Sequence, residues 1–181
     1  MSNEELSLVI IVAILDHDVS RCLVGEGISV DILYPNAFEK LGLKRKDLKT
    51  YVDTDPLGFN KMSTCPWGYI TLSVTFGEEM DERTIETPFL VIPVVSIYNY
   101  IIGRSTLVAL DTVTSMVHLK MKYHNNNRDM VTIYTDLKAA ERCHQAWQKL
   151  PAPQSASIVE GLGENIWSPV PSCSNADFDA R

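Results

Sequence analysis

A pair of closely spaced glycines between two extended runs constrains this sequence more than any other feature. The runs Val19–Val24 and Val30–Tyr34 contain branched apolar side chains, and Gly25-Glu26-Gly27 lies between them. Branched apolar residues favour strands, whereas glycine permits backbone angles that a Cβ would forbid. The pattern predicts a strand, a tight turn built on glycine and a second strand.

Strand patterns recur through most of the chain. Leu6–Leu15 is rich in Val and Ile, and Tyr69–Phe76 alternates strictly between apolar and polar residues. Such alternation is the pattern of a half-buried strand. Further strands are predicted at Thr84–Ile92, Tyr98–Arg104, Val113–Tyr123 and Met130–Tyr134. Pro88 cannot donate a backbone hydrogen bond, so it indicates an edge strand or a bulge.

Helices are predicted at three places among these strands. They span Pro35–Leu43, Ser105–Leu110 and Asp136–Leu150. Pro35 suits the first turn of a helix and Gly42 suits its end. Ser105 and Asp136 have side chains that can cap a helix N-terminus. The last helix is the long amphipathic one, and its apolar side consists of Leu137, Ala140, Cys143 (or His144) and Trp147.

Composition places the chain among folded domains. It has 181 residues, 45% of them apolar, so it can bury a real core. Three regions are expected: a main domain over residues 1–125, an extra strand and amphipathic helix over 126–150, and a disordered tail or linker over 151–181. The tail is expected because Pro, Ser and Gly become frequent there and large apolar residues become scarce.

Charge and hydropathy exclude several classes of partner. The net charge of -7 argues against a surface that follows nucleic-acid phosphates. Lys44-Arg45-Lys46 is basic, but Asp47 follows it, and the segment is interpreted as a solvated loop. The longest apolar run, Leu6–Leu15, is about half as long as a membrane helix. We therefore expect no nucleic-acid or membrane partner, and a cytoplasmic or nuclear chain rather than a secreted one.

The cysteines give no sign of a metal site. Cys22, Cys65, Cys143 and Cys173 form no Cys-x-x-Cys pair, and no histidine stands at metal-ligand spacing from a cysteine pair. Reduced thiols are the expected state in an intracellular chain. We expect neither a metal nor any other cofactor.

Four segments, in order along the chain, carry a family resemblance. They are Leu23–Tyr34 with Ala37–Leu43, Leu57–Phe59 with Pro66–Gly77, Tyr98–Leu110, and His118–Lys122. At these separations the chain resembles a retropepsin-like aspartic protease, specifically the protease region of a plant Ty3/gypsy-type retrotransposon Gag-Pol polyprotein. The resemblance implies an all-β fold: a retropepsin-like (acid protease) closed β-barrel monomer with a short helix, to which this chain adds a C-terminal amphipathic helix and the tail.

The resemblance also implies roles for individual residues. The flap and the wall of the substrate site correspond to Leu57, Gly58, Phe59, Ile101, Ile102 and Gly103. Arg104 resembles an arginine that supports the dimer by ion pairing. A family monomer carries one catalytic aspartate, so a homodimer assembles the catalytic pair on its two-fold axis. The implied partners are a second copy of the chain and, if the chain is active, a peptide substrate.

The catalytic aspartate of the family is missing here. The family motif is Asp-Thr/Ser-Gly, and the corresponding residues are Gly25, Glu26 and Gly27. Two aspartates that share one proton activate the attacking water in this class of enzyme. Gly25 has no side chain, so we predict little or no peptidase activity. Glu26 faces a different direction from its neighbour, and Asp31 lies beyond the turn, so neither is expected to substitute.

Three functions remain open at this point. The first is a catalytically inactive, retrotransposon-derived peptidase-like protein. The second is an active aspartic endopeptidase that processes a polyprotein as a homodimer. The third is a non-catalytic dimerisation module, or an inhibitory one that pairs with an intact homologous protease chain.

Overall fold

Six strands close into a barrel in the computed structural model, which describes residues 6–50 and 66–149. The strands are β1 (Val9–Ile14), β2 (His17–Val24), β3 (Asp31–Leu33), β4 (Gly68–Phe76), β5 (Arg83–Val91) and β6 (Tyr100–Ile102). Their order around the barrel is β1-β2-β6-β3-β5-β4, and β4 pairs back onto β1 to close it. The expected all-β closed barrel is confirmed.

Alternating apolar side chains fill the barrel interior. In β4, Leu72, Val74 and Phe76 are buried, whereas the residues between them keep part of their surface exposed. In β1, Ile10 and Ile14 are fully buried as well. Burial of one such side chain stabilises a fold by about 1.5–3 kcal/mol. The strict alternation seen in the sequence is therefore what directs β4 into the core.

The strand with the proline lies partly at an open edge. Pro88 pairs with Thr71 in an uninterrupted antiparallel register between β4 and β5, so there is no bulge at this position. On its other side, β5 pairs with β3 only from Phe89 onward. Pro88 therefore faces no strand on that side, and the edge alternative is the one that the structure supports.

The most informative strand for function is β6, which lies between β2 and β3. It runs parallel to β2, with Val24 opposite Ile102, and antiparallel to β3, with Ile32 opposite Ile101. A strand late in the chain thus separates two strands that are close in sequence. This arrangement brings the residues after β2 next to the residues after β6.

The helices are α1 (Pro35–Lys40), α2 (Arg104–Ala109) and α3 (Leu137–Gln148). Pro35 lies in the first turn of α1, and Gly42 follows the helix with a φ of 73°, as the sequence predicted. The prediction that Ser105 caps α2 was wrong. Gly103 occupies the cap position, and Ser105 lies inside the helix, where its hydroxyl donates a hydrogen bond to the Ser29 carbonyl.

A separate three-stranded sheet follows the barrel. Its strands are β7 (Val113–Ser115), β8 (Lys120–His124) and β9 (Met130–Tyr134), in that order. The prediction of one extended run from Val113 to Tyr123 was wrong, because the chain reverses between β7 and β8. Leu119 has a φ of 47° at this reversal, and its N–H donates to the Met116 carbonyl.

The long helix α3 packs on the outside of the barrel strands β1 and β2. Its N-cap is Asp136, whose carboxylate accepts a hydrogen bond from the Ala139 N–H at 3.1 Å, as predicted. The predicted apolar side was partly wrong, because Leu137 is 52% exposed and Trp147 is 67% exposed. The buried side instead consists of Ala139, Ala140 and Cys143. The two small alanines allow the helix to approach the barrel closely.

Several predictions concern residues outside the described ranges. These are the flap segment Leu57–Phe59, the cysteines Cys65 and Cys173, and the tail over 151–181. In the ranges 6–50 and 66–149, no helix is long and apolar enough to cross a membrane.

Candidate active site

The turn that begins at Gly25 follows β2 directly and is held against β6. The Gly25 N–H donates to the Ile102 carbonyl at 2.9 Å, and the Ile28 N–H donates back to the Gly25 carbonyl at 3.2 Å. The expected special backbone angles are absent, because neither Gly25 nor Gly27 has a positive φ. The constraint at Gly25 is space instead: a Cβ there would lie 2.9 Å from Cγ2 of Ile101. A Cβ at Gly27 would meet nothing within 4 Å.

Gly103 is required by a close approach of two backbone segments. A Cβ at this position would lie 2.3 Å from the carbonyl oxygen of Val30, far inside van der Waals contact. Backbone atoms cannot move aside as a flexible side chain can. The adjacent Arg104 N–H donates to the Ile28 carbonyl at 2.7 Å. The start of α2 is therefore fastened directly to the loop that carries Gly25.

Asp31 is a buried carboxylate beneath this loop. Its side chain is 1% exposed, and one oxygen accepts hydrogen bonds from the Tyr100 hydroxyl at 2.6 Å and the Gly103 N–H at 3.0 Å. The other oxygen accepts from the Thr106 hydroxyl at 2.9 Å. Desolvation by burial raises the pKa of Asp31, and these hydrogen bonds oppose that effect.

Asp31 therefore has a positioning role that the sequence reasoning missed. Its three donors come from β6, from the residue after it and from α2, so one side chain connects β3 to both segments. A side chain bonded in this way and removed from solvent cannot activate a water molecule. The sequence did carry a signal, because a single charged residue inside an apolar run must be paired when it is buried.

Glu26 and Arg104 meet on the outer side of the turn. The Thr114 hydroxyl donates to the exposed Glu26 carboxylate, which ties that side chain to β7. The Arg104 guanidinium donates to the Glu26 backbone carbonyl at 3.2 Å. Both residues line an open surface pocket of about 330 Å³ together with Leu107, Val108, Asp111 and Thr114. This pocket lies on the α2 side of the turn.

The remaining predicted site residues of β6 differ in their surroundings. Ile101 is 6% exposed and contacts the position where a Gly25 side chain would begin, whereas Ile102 is fully buried in the barrel core.

Asp111, interpreted from sequence as a helix-end or surface charge, is exposed, and its carboxylate lies 3.1 Å from Nδ1 of His124.

The part of the chain that the structure describes holds no cluster of three or more His, Cys, Asp or Glu residues suited to a metal ion. Within it, Cys22 and Cys143 are buried free thiols. Burial raises the pKa of both thiols, so neither is an activated nucleophile.

Comparison with known proteins supports a fold assignment. Neither a protein-family model nor a curated protein matches the sequence. Among solved structures, the chain is similar to the retroviral protease-like domain of Ddi1 from Leishmania major, with a TM-score of 0.53 and 17% identity over 73% of this chain and 98% of that one.

Two further solved structures match with lower scores. A retropepsin-like aspartic protease from Rickettsia conorii has a TM-score of 0.43 and 23% identity over 59% of this chain and 75% of that one. The EIAV protease complexed with the inhibitor HBY-793 has a TM-score of 0.42 and 22% identity over 64% of this chain and 98% of that one.

The fold of this chain is retropepsin-like. Its six-stranded closed barrel contains β6 between β2 and β3, and the Ddi1 domain aligns over nearly its whole length. At 17% identity this likeness defines the fold alone, and the chemistry depends on the residues around Gly25.

Proposed function

We propose that this chain is a retropepsin-fold protein without peptidase activity, which serves as a binding module for a second copy or for an intact homologous protease chain. The observation that carries the proposal is Gly25. The surrounding loop keeps its connections to β6 and α2, yet the position that corresponds to the catalytic aspartate has no side chain. General acid–base catalysis contributes about 10²–10⁴ in rate, and it requires a positioned proton-transfer group.

Nearby carboxylates do not supply that group. Asp31 is 1% exposed and accepts three hydrogen bonds from protein donors, so it has no access to a bound water. The Glu26 carboxylate accepts from Thr114 of β7, and its direction is set by that contact rather than by Gly25. Loss of the aspartate is therefore not compensated within the described part of the turn.

The resemblance carried by the four sequence segments supports an origin in the protease region of a Ty3/gypsy-type retrotransposon. Loss of the aspartate side chain removes the proton-transfer group, and it does not by itself remove a surface on which two monomers can assemble. We infer that binding, rather than hydrolysis, is what such a chain retains.

A peptidase assay between pH 4 and 6 tests the proposal. The unmodified chain is expected to show no cleavage, whereas the Gly25→Asp, Glu26→Thr double variant is expected to cleave in a pepstatin-sensitive manner. The new Cβ requires Ile101 to shift by a few tenths of an ångström, because the two atoms would otherwise be 2.9 Å apart. Gly25→Ala with Glu26→Thr is the matched control, since it crowds Ile101 equally and adds no carboxylate.

The outcomes separate the alternatives. Cleavage only by the aspartate variant supports the proposal and identifies the missing carboxylate as the cause. Pepstatin-sensitive cleavage by the unmodified chain would overturn it in favour of an active aspartic endopeptidase.

A further inference from the structure

A concentrated basic surface lies at one end of the barrel. The five cationic residues between positions 40 and 49 are all exposed; they are Lys40, Lys44, Arg45, Lys46 and Lys49. Asp47 is the one carboxylate between positions 40 and 49, and Glu39 immediately precedes them, although the whole chain has a net charge of -7. We call these five residues the basic end.

Two cations of the basic end are held in place. The Arg45 guanidinium lies 3.9 Å from the centroid of the Trp67 ring, and the Lys49 ammonium lies 5.9 Å from that of Tyr69. Cation–π contacts of this kind restrain the side chains before any partner arrives. Less conformational entropy is then lost on binding. Asp47 does not neutralise the surface through an ion pair, because its carboxylate accepts from the Lys44 backbone N–H at 2.9 Å.

An acidic surface lies at the turn between β4 and β5. It contains four exposed carboxylates in five residues: Glu78, Glu79, Asp81 and Glu82. The neighbouring Arg83 does not pair with them, because its guanidinium donates to the carbonyls of Ala109, Leu110 and His124. Tyr123 and Asn125 donate to backbone carbonyls of the turn and hold its shape. We call these four residues the acidic turn.

The two surfaces lie at opposite ends of β4. Lys49 exchanges backbone hydrogen bonds with Tyr69 near the start of the strand, and the acidic turn follows Phe76 at its end. Seven strand steps of about 3.3 Å separate Tyr69 from Phe76, or roughly 23 Å. That distance exceeds the Debye length of about 10 Å at 0.1 M salt. Within one copy the surfaces cannot neutralise each other, and across the described ranges neither forms an ion pair.

We propose that copies of this chain associate head to tail, with the basic end of one copy against the acidic turn of the next. Each contact leaves one basic end and one acidic turn free, so the assembly is open rather than a closed pair. This association goes beyond the proposed function and does not involve Gly25, Arg104 or a two-fold axis. Because its contacts are exposed ion pairs, it is expected to be weak and sensitive to salt.

Sedimentation velocity of the full chain over a concentration series tests this proposal. The weight-average sedimentation coefficient is expected to rise more steeply with concentration in 20 mM salt than in 500 mM salt, because only the head-to-tail contact depends on exposed ion pairs. Lys44→Glu with Lys46→Glu is expected to abolish the additional rise in 20 mM salt, and so is Glu78→Lys with Glu82→Lys. An equimolar mixture of the two double variants is expected to form pairs, because the first variant keeps an unmodified acidic turn and the second keeps an unmodified basic end.

A matched control separates the effect of charge at the basic end from the effect of the net charge of the whole chain. Lys122→Glu with Lys138→Glu changes the net charge by the same amount as the basic-end variant, at exposed positions outside both surfaces. It is expected to associate like the unmodified chain. Thermal melts of every variant establish that each remains folded.

Other results would overturn the proposal. Association that neither charge reversal affects would assign self-assembly to a different surface, such as a two-fold interface, and would leave the proposed function intact. A constant sedimentation coefficient for the unmodified chain in 20 mM salt would exclude head-to-tail assembly. A basic end that binds a single-stranded oligonucleotide, with no rise in sedimentation coefficient, would point to a nucleic-acid partner instead.

Discussion

At the scale of single residues, the buried carboxylate of Asp31 organises the loop that carries Gly25. Three donors from β6, its following residue and α2 converge on it, although burial raises its pKa. A carboxylate with a raised pKa binds a proton more readily in the folded chain than in the unfolded chain. Its contribution to stability is then complete at low pH and is lost as the pH rises through the folded-state pKa.

A substitution to asparagine tests this pH dependence. Asp31→Asn resembles the protonated carboxyl, because its oxygen can accept from Tyr100 and Gly103 while its amide donates to Thr106. The free energy of unfolding of the unmodified chain should fall from pH 4 to pH 8 relative to that of Asp31→Asn, as measured by urea denaturation. The exposed Asp129→Asn is the control and should leave the profile unchanged. Parallel profiles for the unmodified chain and Asp31→Asn would contradict this account.

Gly27 and Gly103 provide a matched pair of positions for testing whether the close contact between the backbones of Gly103 and Val30 requires glycine. Gly103→Ala should destabilise the chain by roughly 3 kcal/mol or more, because its Cβ would overlap the Val30 carbonyl. Gly27→Ala should change stability by no more than about 0.5 kcal/mol, since nothing lies within 4 Å of its Cβ. Equal effects in urea denaturation would show that the Gly103 contact is not rigid.

At the scale of elements, Arg83 connects three parts of the fold. From the start of β5 its guanidinium donates to Ala109 at 2.8 Å and Leu110 at 3.2 Å, at the C-terminal end of α2, and to His124 of β8 at 3.0 Å. The last carbonyls of a helix have no partners within the helix and carry partial negative charge. Arg83 satisfies two of them and joins the separate sheet to the barrel.

Replacement of this arginine should therefore weaken the fold. Arg83→Met keeps the aliphatic length but removes all three hydrogen bonds, and we expect a loss of about 2 kcal/mol in the free energy of unfolding. Arg142→Met is the control, because Arg142 makes a single exposed hydrogen bond to Lys138. A loss no larger than that of the control in urea denaturation would show that solvent replaces the Arg83 contacts.

At the scale of the whole molecule, residue patterns in the sequence predicted strands and helices better than they predicted the contacts between residues distant in sequence. The alternation of β4 and the cap at Asp136 depend on nearby residues, and both were correctly predicted. The split between β7 and β8 was missed, because the φ of 47° at Leu119 belongs to a turn without glycine or proline. The hydrogen bond from Gly25 to Ile102 joins residues far apart in sequence, and the residue pattern alone could not give it.

The same limit applies to the candidate site. The motif at Gly25 identified the loop, because its residue types are unusual between two strands. The convergence on Asp31 could not be predicted, since Tyr100, Gly103 and Thr106 reach it only after β6 lies beside β3. Exposure of Trp147 was also unpredictable, because the depth at which α3 packs depends on the small side chains facing the barrel.

The position of β6 has a consequence for how the chain is made. During synthesis, β2 and β3 emerge from the ribosome long before residues 100–102, so each leaves one backbone edge unpaired until β6 arrives. Open strand edges are the surfaces on which nascent chains aggregate. The loop at Gly25 consequently takes its final form only after β6 has been translated, and a chain that ends before β6 lacks the Ile102 carbonyl that binds the Gly25 N–H.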